Sequence, residues 1–416
     1  MSVDQEGDAR RGSTLASFLP RGFNNKVKQV FLLVFLNESG RTPLFIYLPI
    51  YLIETFKTPY LLVGLALTLS TGASALFQMI GGVLADSLGR RTTILSSAGL
   101  RIITLSALII GSITGIHVVL FLTLYILTEA FNGIFQTGTN AMVADLVEPH
   151  KRVEAYGIYH ISINAGFALG ALIGGLPIAF TILFAFWLIC IIANVATIIP
   201  FLNESQRVRG RFSIGSVAVG VKDKFLLGFG LVTLGAGVVA NQMGPTFVLY
   251  TTGNIGITRE QLGFLYTLNG LLVILFQYPI SRLVLKYSYS KILAVASTLR
   301  AVGFLLITGP ANFYLLEGVI ITLTLGEILQ TPAAASYAAS LASEKNRGGY
   351  IGFYNWMWSS GMALSPVVGS YLLSAFAARE FYAWYVIFGI GICCSGIYVW
   401  LGNLTRRTRP ELADIL

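Results

Sequence analysis

Glu38 and Arg41 lie three residues apart in the run Asn37-Glu38-Ser39-Gly40-Arg41, in the middle of a long apolar stretch. Further on, Glu129 opens a row with Asn132, Gln136 and Asn140, spaced three, four and four, again among apolar residues. A carboxylate in surroundings of low polarity holds its proton tightly and can exchange it near neutral pH. The chemistry suggested is reversible protonation tied to binding, with no covalent bond made or broken. Glu38 and Arg41 share a helix face and can pair with each other. The arginine opposes the acid's shift, so a change of partner would belong to any cycle. Glu327 and Gln330, three apart, repeat the theme, while Glu317 reads as structural or as part of a rim. Asn241, Gln242 and Pro245 form a polar, bendable patch, and Asn269 and Gln277 add isolated polar groups.

The elements that must hold these residues follow from composition. Of 416 residues, 55% are hydrophobic and only 11% charged, and mean hydropathy is +0.73; a soluble domain carries about 25% charged residues. A helix needs about 20 apolar residues to cross a bilayer. Twelve spans are predicted, near 28–54, 60–85, 92–113, 116–146, 154–177, 179–202, 225–252, 261–286, 291–309, 312–342, 349–375 and 381–403. Their continuous apolarity excludes a barrel, whose strands alternate. An ionised side chain at mid-bilayer costs roughly 2.5–3.5 kcal/mol, so the acids retained there call for a reason. A polar row on a lipid-embedded helix must face protein or water.

The net charge of +9 does not point to nucleic acid, because of where it falls. With the amino terminus and alternate loops on one side, that side holds 22 of the 28 lysines and arginines. The other holds Lys57, Arg259 and Arg379, and Arg41, Arg101 and Arg300 lie within spans. An excess of basic residues marks the cytoplasmic side, so both termini are expected in the cytoplasm of a multi-pass protein of the cell membrane. The first residues contain Asp4, Glu6, Asp8, Arg10 and Arg11 and no apolar core, which excludes a cleavable signal peptide. Cys190, Cys393 and Cys394 give neither metal spacing nor a disulfide framework, and no phosphate-binding loop is present. No metal, cofactor or catalytic residue is expected.

The chain also repeats itself. Gly64-x-x-x-Thr68-Leu69 recurs as Gly263-x-x-x-Thr267-Leu268, Leu76-Phe77-Gln78 as Leu275-Phe276-Gln277, and Leu100-Arg101 as Leu299-Arg300. With a slightly smaller offset, Gly157-x-Tyr159 matches Gly352-x-Tyr354, and Gly166-x-Ala168-Leu169 matches Gly361-x-Ala363-Leu364. The resulting organisation is a cytoplasmic tail over 1–25, a six-helix half over 26–202, a basic cytoplasmic loop over 203–224, a second half over 225–403 and a tail over 404–416. Parallel repeats related by an axis along the membrane normal are a known transporter plan. Gly166, Gly170 and Gly174, and then Gly361, Ser365 and Gly369, recur every four residues and predict close helix packing. Arg101 and Arg300 occupy matching places and are expected to snorkel to the cytoplasmic side or pair with a neighbouring carbonyl or acid.

Gly82-x-x-x-Asp86-x-x-Gly89-Arg90-Arg91, between spans 2 and 3, resembles the signature loop of the major facilitator superfamily. Ser87 stands where a basic residue is usual. The second half, from Thr331-Pro332 through Arg347 and Gly352-Phe353, resembles bacterial drug/proton antiporters. Two departures are Ala171, in place of a proline in glycine-rich span 5, and the lack of an arginine midway in span 4, where Glu129 lies. The resemblance implies an all-α membrane protein with twelve transmembrane helices in two pseudo-symmetric six-helix bundles. It also implies a cytoplasmic latch of Gly82, Asp86, Gly89, Arg90 and Arg91, with Asp145 as the acid at the end of span 4. Pairing at helix ends makes physical sense of such a latch. In the second half, Ser281-Arg282 to Lys286 has lost the acid and the glycine, so the latch is expected to be one-sided.

The resemblance implies secondary transport by alternating access, most simply proton-coupled export of amphipathic or lipophilic compounds. Glu38, Arg41, Glu129, Asn132, Gln136, Glu327, Asn241 and Asn269 are then the candidates for proton coupling or cavity lining. Uptake or facilitated transport of a small polar solute, lipid or glycolipid translocation, and a sensor built on a transporter fold remain alternatives. The expected partners are a small-molecule substrate, protons and the lipid bilayer, with the protein acting as a monomer and binding no nucleic acid.

Overall fold

The computed structural model describes residues 23–148, 151–201, 223–284, 286–309, 312–342 and 346–409. The tails over 1–22 and 410–416, and nearly all of the central loop, lie outside the described residues. The amino-terminal bundle comprises α1 (Asn25–Phe56), α2 (Tyr60–Leu88), α3 (Arg90–Thr114), α4 (Val118–Leu146), α5 (Arg152–Gly175) and α6 (Phe180–Phe201). The carboxyl-terminal bundle comprises α7 (Lys224–Ala240), α8 (Pro245–Tyr250), α9 (Arg259–Val284), α10 (Tyr289–Leu306), α11 (Phe313–Ser340), α12 (Arg347–Ala375) and α13 (Tyr382–Thr408). Among the described residues, and with α7 and α8 counted as one span over Lys224–Ile255, ten helices are long and apolar enough to span a membrane by composition alone. Of the other two, α1 carries Lys26, Lys28, Glu38, Arg41 and Glu54, and α12 is rich in glycine and serine.

Local sequence sets the helix ends. Asn24 and Asn312 accept from the N–H groups of Val27 and Leu315 at 3.0 and 2.9 Å, satisfying donors that the first turn leaves free. The predicted span over 225–252 is one helix in the sequence but two in the structure. Pro245 has no N–H and its ring crowds the carbonyl four residues back. The helix therefore stops at Ala240, tightens into a 3-10 turn over Asn241–Met243 and restarts as α8. A π-helical turn over Thr251–Ile255 follows, ended by Gly256 at φ 76°.

The two bundles repeat one packing scheme. In the first, α1 lies on α5, α2 on α4, and α3 on both α4 and α6; in the second, α7 lies on α12, α9 on α11, and α10 on both α11 and α13. The glycine rows belong to this packing inside each bundle. A Cβ on Gly166 or Gly170 would stand 2.5 or 2.7 Å from the carbonyl oxygens of Phe35 and Ser39 on α1, and one on Gly174 2.5 Å from the Tyr47 ring. On α12, a Cβ at Gly361 would stand 2.1 Å from the Leu234 carbonyl, and Gly369 faces Thr246 and Gln242. Between the bundles, α5 meets α9 and α2 meets α12, with Gly175 against Gly263 and Gly64 against Ser370.

Because the helices alternate in direction, Asn25 and Thr408 lie on one side, here termed the terminal side. There each bundle has its own apolar cluster, around Val30, Met142 and Tyr159 in the first and around Phe229, Tyr337 and Tyr398 in the second. On the far side one cluster runs through both bundles and includes Tyr47, Phe184, Phe247, Leu262 and Trp384. The bundles are thus joined on the far side.

Candidate functional site

The mid-span charges of the first bundle converge. Arg41 Nε lies 3.0 Å from both carboxylate oxygens of Glu129 on α4 and Arg41 Nη1 lies 3.6 Å from Glu38 Oε2. The pairing within α1 expected from spacing is therefore the longer of two contacts, because helix packing brings Glu129 nearer. Asn37 Nδ2 donates to Glu38 Oε1 at 2.9 Å and to Asn132 Oδ1 at 3.2 Å. The Arg41 guanidinium also sits 4.8 Å from the Phe45 ring centre. Glu129 is 2% and Glu38 7% exposed.

The two acids face different spaces. Glu38 helps line a cavity of about 450 Å³ with Asn37, Gln78, Gln136, Asn140, Tyr159 and His160, all from the first bundle. Gln78 donates to Gln136 at 3.3 Å across its wall. Glu129 lies instead on a narrow void at the seam between the bundles, with Arg41, Tyr125, Asn241, Pro245 and Pro366. Of the polar row on α4, Gln136 and Asn140 reach the cavity, while Asn132 is fully buried beside Asn37.

Asn241 donates to the Met362 carbonyl at 2.9 Å, and Gln242 to that of Ser365 at 3.1 Å, so the amides exposed by the break before α8 are tied to α12. Asn269 and Glu327 form a separate cluster within the second bundle. Asn269 Nδ2 donates to Glu327 Oε2 at 3.2 Å and to Thr324 Oγ1 at 2.9 Å. Arg101 does not snorkel. It is fully buried, its three guanidinium nitrogens have no hydrogen-bond partner among the described residues, and the rings of Phe135 and Trp187 lie 5.3 and 5.4 Å away. Arg300 is likewise buried, 5.7 Å from the Trp358 ring.

On the terminal side, the link between α2 and α3 is shorter than the sequence suggests. Gly82 and Asp86 belong to α2, Arg90 is the first residue of α3, and Gly89 alone joins them. Its φ of 100° and ψ of 157° suit glycine and few other residues. Arg90 bridges Asp86 at 2.5 Å and Asp145 at 3.1 Å, and Arg91 donates to the Ile199 carbonyl on α6 at 3.0 Å. The close approach to α4 is made by Gly81, where a Cβ would lie 2.8 Å from the Ile134 Cα; at Gly82 it would meet only ordinary contact.

The second bundle has an ion-paired node of its own, built from residues the repeat does not mark. Asp223 caps α7 by accepting from the Phe225 N–H at 2.9 Å. The same carboxylate accepts from Arg409 Nη2 and from the Tyr350 hydroxyl, both at 2.9 Å. Arg409 Nη1 also donates to the Leu341 carbonyl at 3.2 Å. Burial alone would raise the Asp223 pKa, but the bonds from Arg409, Tyr350 and Phe225 outweigh it and hold the carboxyl below the ordinary aspartate range. Arg282, the counterpart of the loop arginines, lies over the Tyr278 ring instead.

Arg259 is the other residue that sequence reasoning passed over. From the far-side start of α9 it reaches into the first bundle, donating to the Gly174 and Ile178 carbonyls at 3.1 and 3.3 Å. Its guanidinium lies 4.4 Å from the Phe180 ring, and its own carbonyl accepts from the Tyr47 hydroxyl at 3.2 Å. Thr267 to the Ala168 carbonyl and the Val367 N–H to Thr68 join the bundles nearby, at 3.0 and 3.1 Å.

Residues 30–217 and 225–414 match the family model described as Major Facilitator Superfamily. The uncharacterized MFS-type transporter YttB of Bacillus subtilis (strain 168) is 26% identical over 357 residues, covering 83% of this chain and 88% of that protein. The quinolone resistance protein NorA of Staphylococcus aureus (strain MSSA476) is 24% identical over 402 residues, covering 93% and 99%. The multidrug resistance protein MdtH of Edwardsiella ictaluri (strain 93-146) is 26% identical over 322 residues, covering 75% and 77%. Among solved structures, a peptide transporter POT in complex with sulfate aligns with a TM-score of 0.76 at 14% identity, over 92% of this chain and 95% of that one. At that identity the likeness concerns the fold alone.

Proposed function

The chain belongs to the major facilitator superfamily, and from that footing we propose that it exports amphipathic small molecules in exchange for protons. It is a multi-pass membrane transporter and no enzyme. The single observation carrying the proposal is the triad of Glu38, Arg41 and Glu129. One acid looks into the cavity, the other onto the seam between the bundles, and one arginine touches both. A proton arriving at Glu38 weakens its hold on Arg41, and cargo and proton compete for the same wall. Arg41, bonded more fully to Glu129 than to Glu38, sits where it can change partner as the seam opens and closes. The drug-resistance names of NorA and MdtH support the export direction.

In this reading the terminal side is cytoplasmic, as the distribution of basic residues supports, and the functional halves are residues 26–202 and 225–403. The Asp86–Arg90–Asp145 contacts brace α2, α3 and α4 on that side. The test is purified protein in liposomes with an imposed pH gradient, followed with an internal pH dye against a panel of solutes. Glu38→Gln and Glu129→Gln should each abolish gradient-driven transport while the variants still insert. Proton-driven transport that survives both changes would sink the coupling scheme. The amide-rich cavity wall favours a second reading, proton-coupled uptake of a polar solute, which the same assay separates by the sign of the solute gradient formed.

A further inference from the structure

The charges held at mid-span cancel. Glu38, Glu129 and Glu327 supply three negative charges, and Arg41, Arg101 and Arg300 three positive ones. The balance is also local. Arg41 touches both Glu38 and Glu129, Arg101 lies within electrostatic reach of the same two acids, and Arg300 lies within reach of Glu327. Of this set only Glu38, paired with Arg41 at 3.6 Å, lines the main cavity, which otherwise presents uncharged hydrogen-bonding groups, among them Asn37, Gln78, Gln136, Asn140 and Tyr159. His160, a basic group on that wall, can only add positive charge. Asn37 is 1% exposed, lines the cavity, and leaves its Oδ1 without a partner among the described residues.

We propose that the cargo is a polar molecule without net charge, recognised through its amide or hydroxyl groups, and that monovalent lipophilic cations are poor ligands. This rests on the transporter reading above and narrows its substrate class. A cation entering a cavity whose single carboxylate is already held by Arg41 surrenders hydration and meets no spare countercharge. A neutral solute bearing donors and acceptors exchanges bonds to water for bonds to the wall at little net cost. An unpartnered buried amide oxygen rewards a cargo that donates to it and penalises one that cannot.

The test is equilibrium binding of two labelled probes to the purified full-length protein: chloramphenicol, which is neutral and carries amide and hydroxyl groups, and the cation tetraphenylphosphonium. Wild type should bind the cation at least about tenfold more weakly than the neutral probe. Arg41→Gln leaves the interior one charge negative and should tighten tetraphenylphosphonium by about tenfold or more; Glu129→Gln leaves it one charge positive and should not. Gln136→Leu, which leaves the charges untouched, should weaken chloramphenicol severalfold and spare the cation. Tight tetraphenylphosphonium binding by wild type, or failure of chloramphenicol to bind, overturns the proposal, as does an Arg41→Gln variant that binds the cation no better. Loss of gradient-driven transport with this binding pattern intact would count against the proton-coupled reading alone.

Discussion

Arg259 ties the two bundles together on the far side, and its removal should move the whole conformational equilibrium. Two charge-assisted hydrogen bonds, to the Gly174 and Ile178 carbonyls, are each worth about 1.5 kcal/mol at the lower end of the range for charged groups. Stacking over Phe180 at 4.4 Å adds about 0.5–1 kcal/mol. The Gly174 carbonyl lies at the end of α5, where the helix dipole favours a cation. Arg259 is only partly buried, so water recovers about half of this total when the seam opens. The remaining ~2 kcal/mol corresponds to roughly a thirtyfold shift between closed and open far sides in Arg259→Ala. Spin labels at Glu54 and Arg379, exposed on the far side of the two bundles, with the native cysteines replaced, would report this by electron–electron distance measurement. The variant should gain a longer-distance population, and a second label pair at Ser87 and Lys291 on the terminal side should report a shorter one. Tyr47 to the Arg259 carbonyl survives the substitution, so the shift should fall short of complete opening. Distance distributions unchanged at both pairs would refute the assignment of Arg259 as a far-side tie.

Other expectations follow from the same geometry. Asp223 has a depressed pKa in the folded state, so its contribution to stability is present above the ordinary aspartate pKa and is lost as pH falls through its folded value. The melting temperature in detergent should therefore drop between neutral and acid pH, by less in Asp223→Asn, whose melting temperature at neutral pH should already be lower. Asp145→Asn removes one of two acids on Arg90 while Asp86 retains its contact. A cysteine placed at the terminal end of α4 should become more accessible to thiol reagents, and unchanged accessibility would reduce the contact to a topology signal. Gly361→Val places a Cβ 2.1 Å from the Leu234 carbonyl and should destabilise by about 1–3 kcal/mol, read as a lowered melting temperature. Gly352→Ala, which meets nothing within 4 Å, is its control and should leave the melting temperature unchanged.

The fold was legible because lipid punishes charge so strongly that apolar runs map onto helices within a few residues of their ends. Glu38, Arg41 and Glu129 stood out for the same reason. Which acid Arg41 prefers was not legible, because Glu129 comes 88 residues later and the choice depends on how α1 and α4 pack. Arg259 sits at a span's edge, where a positive charge looks solvated; only the fold places two free carbonyls opposite it. Asp223 and Arg409 are 186 residues apart and belong to no repeat, so no spacing announces them. The motif named Gly82, yet the crowded glycine is its neighbour Gly81, since spacing alone does not say which side of α2 meets α4. Snorkelling failed for Arg101 because Phe135 and Trp187, from α4 and α6, close around it.

In the proposed transport reading, the apolar cluster shared by both bundles on the far side gives the cycle a temperature dependence of its own. Phe167 of one bundle packs against Tyr266 of the other, with ring centres 6.1 Å apart, and opening that side wets surfaces of this kind. Exposure of apolar surface to water raises heat capacity, and the drive to rebury it weakens on cooling. The bias toward the closed far side should therefore relax in the cold and strengthen with warming. The equilibrium between the two access states then curves with temperature, and the seam between the halves carries a thermal set point.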